Sequence, residues 1–428
     1  MKFVLPFTGS RGDVAPGLAL GIELAGRGHE VTFGAPPNLV TFATAATEST
    51  AGISIVPFGP DTQALLESDL VRTRIKSRNP RVRTAALAEL ANFGWDDMTE
   101  QLSQMSVGAD AAVAGTLGQE MTFNCAEALS IPFIALHYCP LRSNGSVSVL
   151  PGRELPAIVN RGTWRILESM RWRSMKEREN IQRNALGLPA ASQPLSTRIA
   201  RYGGIEIQAY ESSFFPGLSQ EWDERRPFVG FLELPTATTT TGMESTSDSP
   251  LGRWIDAGTP PLYFGFGSMP VRDPSALVAM IEDVCRLGGH RAVVSSGWSA
   301  IDESVDPTAA VATVGPVNHA TLFPLCRAAI HHGGAGTTAA SIRAGLPTMT
   351  CWFSADQPFW GAALTRTGAG TSAKFTTLTT DTLAAGIDTL LRPETAARAA
   401  ELADSMTPAM DSLRVAADLI EGATHQKR

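Results

Sequence analysis

His331-His332-Gly333-Gly334-Ala335-Gly336-Thr337-Thr338 stands directly after an apolar run, Ala329 to His331, and its small residues lead into a stretch with helical spacing. A strand, a glycine turn and a helix start in that order form the place where an α/β sheet receives a phosphate. Small residues let the anion reach the backbone, and the first N–H groups of the helix are unpaired and carry about half a positive charge. His332 and Thr337 add side-chain donors. Eighteen residues past Thr338 come Asp356 and Gln357, again after an apolar run. One side chain only accepts hydrogen bonds and the other both donates and accepts, a pair suited to ring hydroxyls.

Outward from this segment, short apolar runs alternate with helical patterns. Leu262 to Phe266, Ala292 to Ser295, Ala310 to Val314 and Thr348 to Cys351 read, with Ala329 to His331, as parallel strands of one doubly wound α/β domain. The first half of the chain shows the same alternation. Lys2 to Phe7, Glu30 to Phe33, Ile53 to Val56, Ala111 to Val113, Phe133 to Leu136 and Ile205 to Gln208 are its strands, and a helix starts at about Val14, with Leu18, Ile22 and Ala25 on one face. Thr236 to Pro250 is threonine, serine, glycine and aspartate almost without an apolar residue, which predicts a linker over 236–250 between domains 1–235 and 251–428. A chain of 428 residues exceeds one ordinary core, so two domains are expected. If they face each other, the carboxyl ends of both sheets line a central cleft. Ala396 to Glu421 has a helical pattern, and this last helix is a candidate to cross back onto the first domain.

Composition removes several function classes. Apolar residues make up 43% and charged residues 18%, values of an ordinary globular protein, and the net charge of −7 argues against a nucleic-acid partner. Five cysteines, without a Cys-x-x-Cys spacing, fit buried thiols in a reducing compartment. The opening apolar run is shorter than a secretion signal requires and no run of 18 apolar residues follows, so a cytoplasmic protein is expected. A nicotinamide fingerprint, GxGxxG with an acid about 20 residues on, is absent from both domain starts, and no Gly-Lys-Ser or Gly-Lys-Thr P-loop occurs.

The segment from Val317-Asn318-His319 to Gly361, with HHGGAGTT and DQPFWG inside it, resembles the donor-site signature of family 1 glycosyltransferases of the GT-B fold. Within the family it is similar to the sterol glucosyltransferase, antibiotic and glycopeptidolipid branch. Phe7-Thr8-Gly9-Ser10-Arg11-Gly12-Asp13-Val14, Gly28-His29-Glu30-Val31, Pro36-Pro37-Asn38 and Gly265-Phe266-Gly267-Ser268 resemble the same branch, so the likeness spans nearly the whole chain and is weakest between about Asp61 and Arg201. It implies that His332, Ala335, Gly336 and Thr337 hold the diphosphate, with Ser268 as a further phosphate contact. Asp356 and Gln357 hold the sugar, the base lies near Val317 and His319, and Ser10 and Arg11 reach the donor beside Asp13. One departure stands out: Trp352 occupies a region where the family often has proline, which leaves a deoxysugar such as rhamnose open in place of glucose.

Asp13 has two readings. It precedes Val14-Ala15-Pro16 and would cap the first helix, with Pro16 in the first turn. As a carboxylate at the carboxyl end of a strand it is also where a general base takes a proton from an acceptor hydroxyl, with His137 as the alternative base. No Asp-x-Asp pair occurs, and hard cations are commonly held by that pair, so no metal ligand and no cofactor beyond the nucleotide sugar is expected. Trp298 is either a stacking platform or core. Residues 161–183 carry six arginines and a lysine, with Trp164, Met170, Trp172 and Met175, either a solvated helix or one that makes peripheral contact with a membrane face.

The reading is an inverting, metal-independent transfer of a hexose or deoxyhexose, of rhamnose or 6-deoxytalose type, from a UDP- or dTDP-sugar to a hydroxyl of a lipophilic acceptor. A glycopeptidolipid is the first acceptor candidate, and a sterol, polyketide or glycopeptide antibiotic the second. The competing classes are a non-catalytic partner that binds sugar nucleotides and, more distantly, an oxidoreductase.

Overall fold

The structure, a computed structural model, describes residues 1–150, 152–235, 249–267, 269, 271, 273–297 and 303–427. The expected linker at 236–250 therefore lies, except for Ser249 and Pro250, outside the described residues, as do Ser268 and Trp298. Contacts divide the chain into two compact units, Met1–Thr238 with Thr407–Arg428, and Thr239–Met406.

The first unit holds a parallel sheet of β1 (Lys2–Pro6), β2 (Glu30–Ala35), β3 (Ile53–Pro57), β4 (Ala111–Ala114), β5 (Phe133–His137) and β6 (Ile205–Gln208), in the order β3-β2-β1-β4-β5-β6. The second holds β7 (Leu262–Gly265), β8 (Ala292–Ser295), β9 (Val311–Val314), β10 (Ala328–His331), β11 (Thr348–Trp352) and β12 (Gly370–Lys374), in the order β12-β11-β10-β7-β8-β9. Read from its other edge this is the same winding. In each sheet the chain runs outward from one central strand, then returns to its other side, so a topological switch lies between β1 and β4 and again between β7 and β10. Open α/β sheets bind ligands at the carboxyl end of that switch.

Sequence logic explains why these strands form. β4, β5, β7, β8 and β10 are continuous runs of buried residues, as strands covered on both faces must be. β12, Gly-Thr-Ser-Ala-Lys, is the strand that hydrophobic pattern misses. It is an edge strand with mostly half-buried side chains, held by its register against β11 from Thr348↔Gly370 to Trp352↔Lys374.

Phe7, at the end of β1, is buried and stacks on Phe33 with ring centroids 5.4 Å apart. A methyl group on Gly17 would sit 2.4 Å from the Phe7 ring, so glycine there lets the first helix, α1 (Arg11–Gly26), lie against the strand. Helix α2 (Ala157–Ala185), at 29 residues, is the longest among the described residues. The C-terminal helical stretch is two helices: Pro393–Asp404 ends before Pro408, which cannot continue it, and a new helix, Ala409–Lys427, follows within the first unit. There Arg27, just past α1, reaches Asp418 at 2.6 Å and Glu421 at 3.1 Å, and His29 Nε2 meets Glu421 at 2.7 Å.

Candidate active site

At the switch point of the first sheet, β1 runs into a turn at Gly9 with φ of +114°, where a side chain would strike the Asp13 carboxylate at 2.6 Å. The turn places Ser10 at the N-cap, and α1 begins at Arg11 instead of Val14, so Asp13 is the third helical residue and not the cap. Its Oδ2 accepts from the Ser10 main-chain N–H at 2.7 Å and from the Ser10 hydroxyl at 2.8 Å, the backward arm of a capping box. Pro16 thus falls inside the helix and not in its first turn, and its missing N–H leaves the Gly12 carbonyl without its usual helical partner.

Asp13 is half-buried, and desolvation pushes its pKa up, against the opposing pull of the two Ser10 bonds. A carboxylate with a raised pKa is a better proton acceptor. Arg11 stays at the surface, its guanidinium 4.2 Å over the Phe42 ring. Tyr138, just past β5, donates its phenolic hydrogen to the Asp13 carbonyl at 2.9 Å.

At the second sheet's switch point, the His332 N–H donates to the Gly265 carbonyl at 3.2 Å, tying the end of β10 to the end of β7. The His332 ring lies where a side chain at Gly267 would be 2.8 Å from its Cε1 and one at Gly334 2.7 Å from its Nε2. Glycine at both positions is therefore what admits the imidazole. Burial lowers its pKa to about 4, so the ring is neutral at physiological pH, and Nδ1 is buried with no hydrogen-bond partner among the described residues. His331 is sealed in the core: its Nδ1 accepts from the Gly333 N–H at 2.9 Å, and burial holds it well below the usual imidazole range. The two adjacent histidines thus divide into a structural one and an accessible one.

Gly334 caps helix α3 (Ala335–Arg343), whose first residues Ala335, Gly336 and Thr337 are half-buried or exposed and present the N–H groups that a helix start leaves unpaired. Gly333, at φ of +90°, has Thr350 so near that a side chain there would stand 2.2 Å from its Cγ2, and 3.3 Å from Gln357 Cβ. The histidine turn and the Asp356-Gln357 step are in this way packed together. Gln357 opens helix α4 (Gln357–Thr367), and its Oε1 accepts from the N–H groups of Phe353 at 2.7 Å and Ser354 at 3.2 Å. Its amide donates to Met269 Sδ at 3.3 Å, a weak acceptor. Asp356 Oδ2 accepts from Trp360 Nε1 at 3.0 Å. Ala355, directly before it, is held at φ of +59°, a conformation that costs a non-glycine residue roughly 1–2 kcal/mol.

Val317 and His319 lie past β9. Val317 packs on the cluster of Tyr263, Phe323 and Leu322, and the His319 ring stacks on Phe323 at 4.5 Å, with Nε2 3.0 Å from the Tyr263 hydroxyl.

Over 430 residues, the whole of both chains, the protein is 41% identical to an uncharacterized glycosyltransferase of Mycobacterium tuberculosis. It is 28% identical over 445 residues to the vancomycin aglycone glucosyltransferase of Amycolatopsis orientalis, covering 100% of this chain and 99% of that one. The chain belongs to the family 1 glycosyltransferases. Residues 300–421 of this glycosyltransferase match the model of the erythromycin biosynthesis protein CIII-like C-terminal domain. Its fold is GT-B: the structure of the glycosyltransferase VinC in complex with dTDP superposes with a TM-score of 0.64 at 18% identity, covering 99% of this chain and 100% of that one.

Three features of the glycosyltransferase escape sequence reading. Tyr138 is 125 residues from Asp13, and no local pattern links them. Gly267 and Gly334 could be quoted as motif glycines, but only the fold shows that both flank one imidazole. His137, the alternative base, is fully buried among Gln119, Arg142 and Gln208, and desolvation with the Arg142 charge lowers its pKa to about 3. A sealed group cannot meet an acceptor, so His137 drops out.

Proposed function

We propose that this glycosyltransferase moves a hexose or a deoxyhexose, the latter of rhamnose or 6-deoxytalose type, from a dTDP- or UDP-sugar to a hydroxyl of a lipophilic acceptor, with inversion at the anomeric carbon. The observation that carries the reading is the convergence at the second switch point: a neutral His332, the N–H groups of α3 and the adjoining Asp356-Gln357 step. The diphosphate would take its hydrogen bonds from His332, Ala335, Gly336 and Thr337, and these donors stabilise the charge that grows as the leaving group departs. Asp356 and the Gln357 amide would hold the sugar hydroxyls. Asp13 takes the acceptor proton as the acceptor oxygen forms its bond to the anomeric carbon and the nucleoside diphosphate leaves. No metal ion and no cofactor beyond the nucleotide sugar enters the scheme.

A glycopeptidolipid is the first acceptor proposed, on the likeness of the TGSRGDVAPGLALGIEL opening to that branch. A glycopeptide antibiotic, polyketide or sterol is the second, supported by the vancomycin relative. The dTDP complex of a structural neighbour supports a thymidine diphosphate donor. The deciding experiment screens dTDP- and UDP-sugars by thermal shift, because a ligand that binds only the folded state raises its stability, then follows transfer by mass spectrometry with and without chelator. Binding of a sugar nucleotide without transfer to any acceptor would leave a non-catalytic partner protein. Loss of transfer in EDTA, restored by Mg²⁺, would overturn the metal-free scheme.

A further inference from the structure

Helix α2 presents an unusual outer face. Asn160, Trp164, Glu179, Gln182 and Arg183 are buried along one side, and the Trp164 indole N–H donates to the Val147 carbonyl at 2.7 Å. On the opposite side, Ile158, Ile166 and Met170, at i, i+8 and i+12, are 79%, 60% and 59% exposed, with Val159 and Leu167 exposed beside them. Large apolar side chains at that density, within thirteen residues, do not arise from a merely solvated helix, whose outer face is polar.

The cations of the helix divide in the same way. Arg161 pairs with Glu221, Arg171 with Glu120, Arg178 with Asp96 and Arg183 with Glu127, all toward the body of the unit. Arg165 and Arg173 have no ion-pair partner among the described residues, and Lys176 lies over the Trp172 ring at 4.9 Å. These three border the apolar stripe, where Glu177 is the acid that accompanies them on the C-terminal half. A chain of net charge −7 thus carries a cationic, apolar face, while the buried Glu179 of the same helix is paired with Arg198.

We propose that this face of α2 docks on an anionic lipid surface, with Ile158, Ile166 and Met170 entering the headgroup boundary and Arg165, Arg173 and Lys176 meeting lipid phosphates. Apolar burial and attraction to anionic lipid together are what hold an in-plane helix at an interface. Among the described residues no helix is long and apolar enough to cross a membrane, so the contact is peripheral. Its purpose, meeting a lipid-borne acceptor where that acceptor resides, rests on the proposed function. The docking itself does not.

The test is co-sedimentation of the full chain with vesicles of phosphatidylcholine alone and mixed with phosphatidylglycerol. Binding is expected on the anionic vesicles, about a hundredfold weaker on neutral ones, as three cations near a charged surface imply. It should also be lost at about 1 M salt, where the screening length falls to about 3 Å. Ile166→Glu with Met170→Glu, and separately Arg165→Glu with Arg173→Glu, should each lower binding at least about tenfold, with the helical circular dichroism and melting temperature of the parent. Vesicle binding that is absent in the parent, or unchanged in both variants, overturns the proposal. So does a parent dimer that the Ile166→Glu, Met170→Glu variant converts to monomer, since a second copy would then cover the face. Failure to bind vesicles while a lipophilic acceptor is still glycosylated in detergent refutes the docking alone. Binding without any such transfer refutes the acceptor reading alone.

Discussion

Tyr138 donates its hydroxyl hydrogen to the main-chain carbonyl of Asp13 at 2.9 Å, so a residue from the end of β5 holds the first turn of α1 in place. Asp13 is thereby positioned from two directions, by Ser10 through its side chain and by Tyr138 through its backbone. Tyr138→Phe removes one largely buried hydrogen bond and leaves the packing. The expected outcome is a stability loss of about 1 kcal/mol with transfer slowed several-fold and nucleotide affinity unchanged, read by thermal melts and by kcat against Kd. A loss of nucleotide affinity equal to the loss in kcat would place Tyr138 outside this role.

Asp13→Asn keeps the shape and the acceptor oxygen that Ser10 uses, and removes the group that takes up a proton. Transfer should fall by about 10² to 10⁴ while donor binding persists. The melting temperature at neutral pH should not drop. Because the folded pKa of Asp13 is raised, its ionised form is a stability cost present above that pKa and absent below the unfolded value, so neutralising the side chain relieves it. For the same reason the acid limb of kcat should lie above the ordinary carboxylate range. A variant that melts early and loses activity in proportion would make Asp13 a helix-capping residue only.

His332 is neutral in the folded protein, its pKa lowered to about 4, while the unfolded chain takes up a proton near the ordinary value of 6.5. Between those two pH values the unfolded state binds more protons, so stability is lost as pH falls from 6.5 toward 4, by a few kcal/mol in all. In His332→Gln, denaturant titrations should show a shallower fall across this window than the parent. Nucleotide binding by calorimetry should weaken at pH 7. A parent affinity that rises steeply as pH drops from 8 to 6 would mean that a charged imidazole, not a neutral one, grips the diphosphate.

Gln357→Glu preserves the oxygen that accepts from Phe353 and Ser354 and removes the amide N–H that now points at Met269. Folding should hold, sugar transfer should fall about tenfold or more, and affinity for bare dTDP or UDP should stay within about twofold, since a lost donor to one hydroxyl costs about 1–2 kcal/mol. Equal losses for nucleotide and sugar nucleotide would move Gln357 from the sugar to the turn that it braces.

The amino-acid sequence by itself determined the alternation of strands and helices, because a strand buried on both faces must be written as a short apolar run and a phosphate-binding turn as glycines before a helix. Eleven strands could be read that way, and so could the turns after β10 and β11 that carry His332, Asp356 and Gln357. The twelfth strand, Gly370–Lys374, could not, since an edge strand takes its place from the neighbour it pairs with and not from its own hydrophobicity. Nor could the start of α1: Gly9 and Gly12 speak against a helix, and it begins at Arg11 because the Asp13 carboxylate returns to Ser10 and Gly9 alone tolerates the turn. Tertiary structure decided that His331 and His137 are core while His332 stays partly exposed, and it brought Tyr138 to Asp13 across 125 residues. Periodicity records only what neighbours in the chain share. Strand order sets which distant residues meet, and it is fixed by burial of the whole sheet at once.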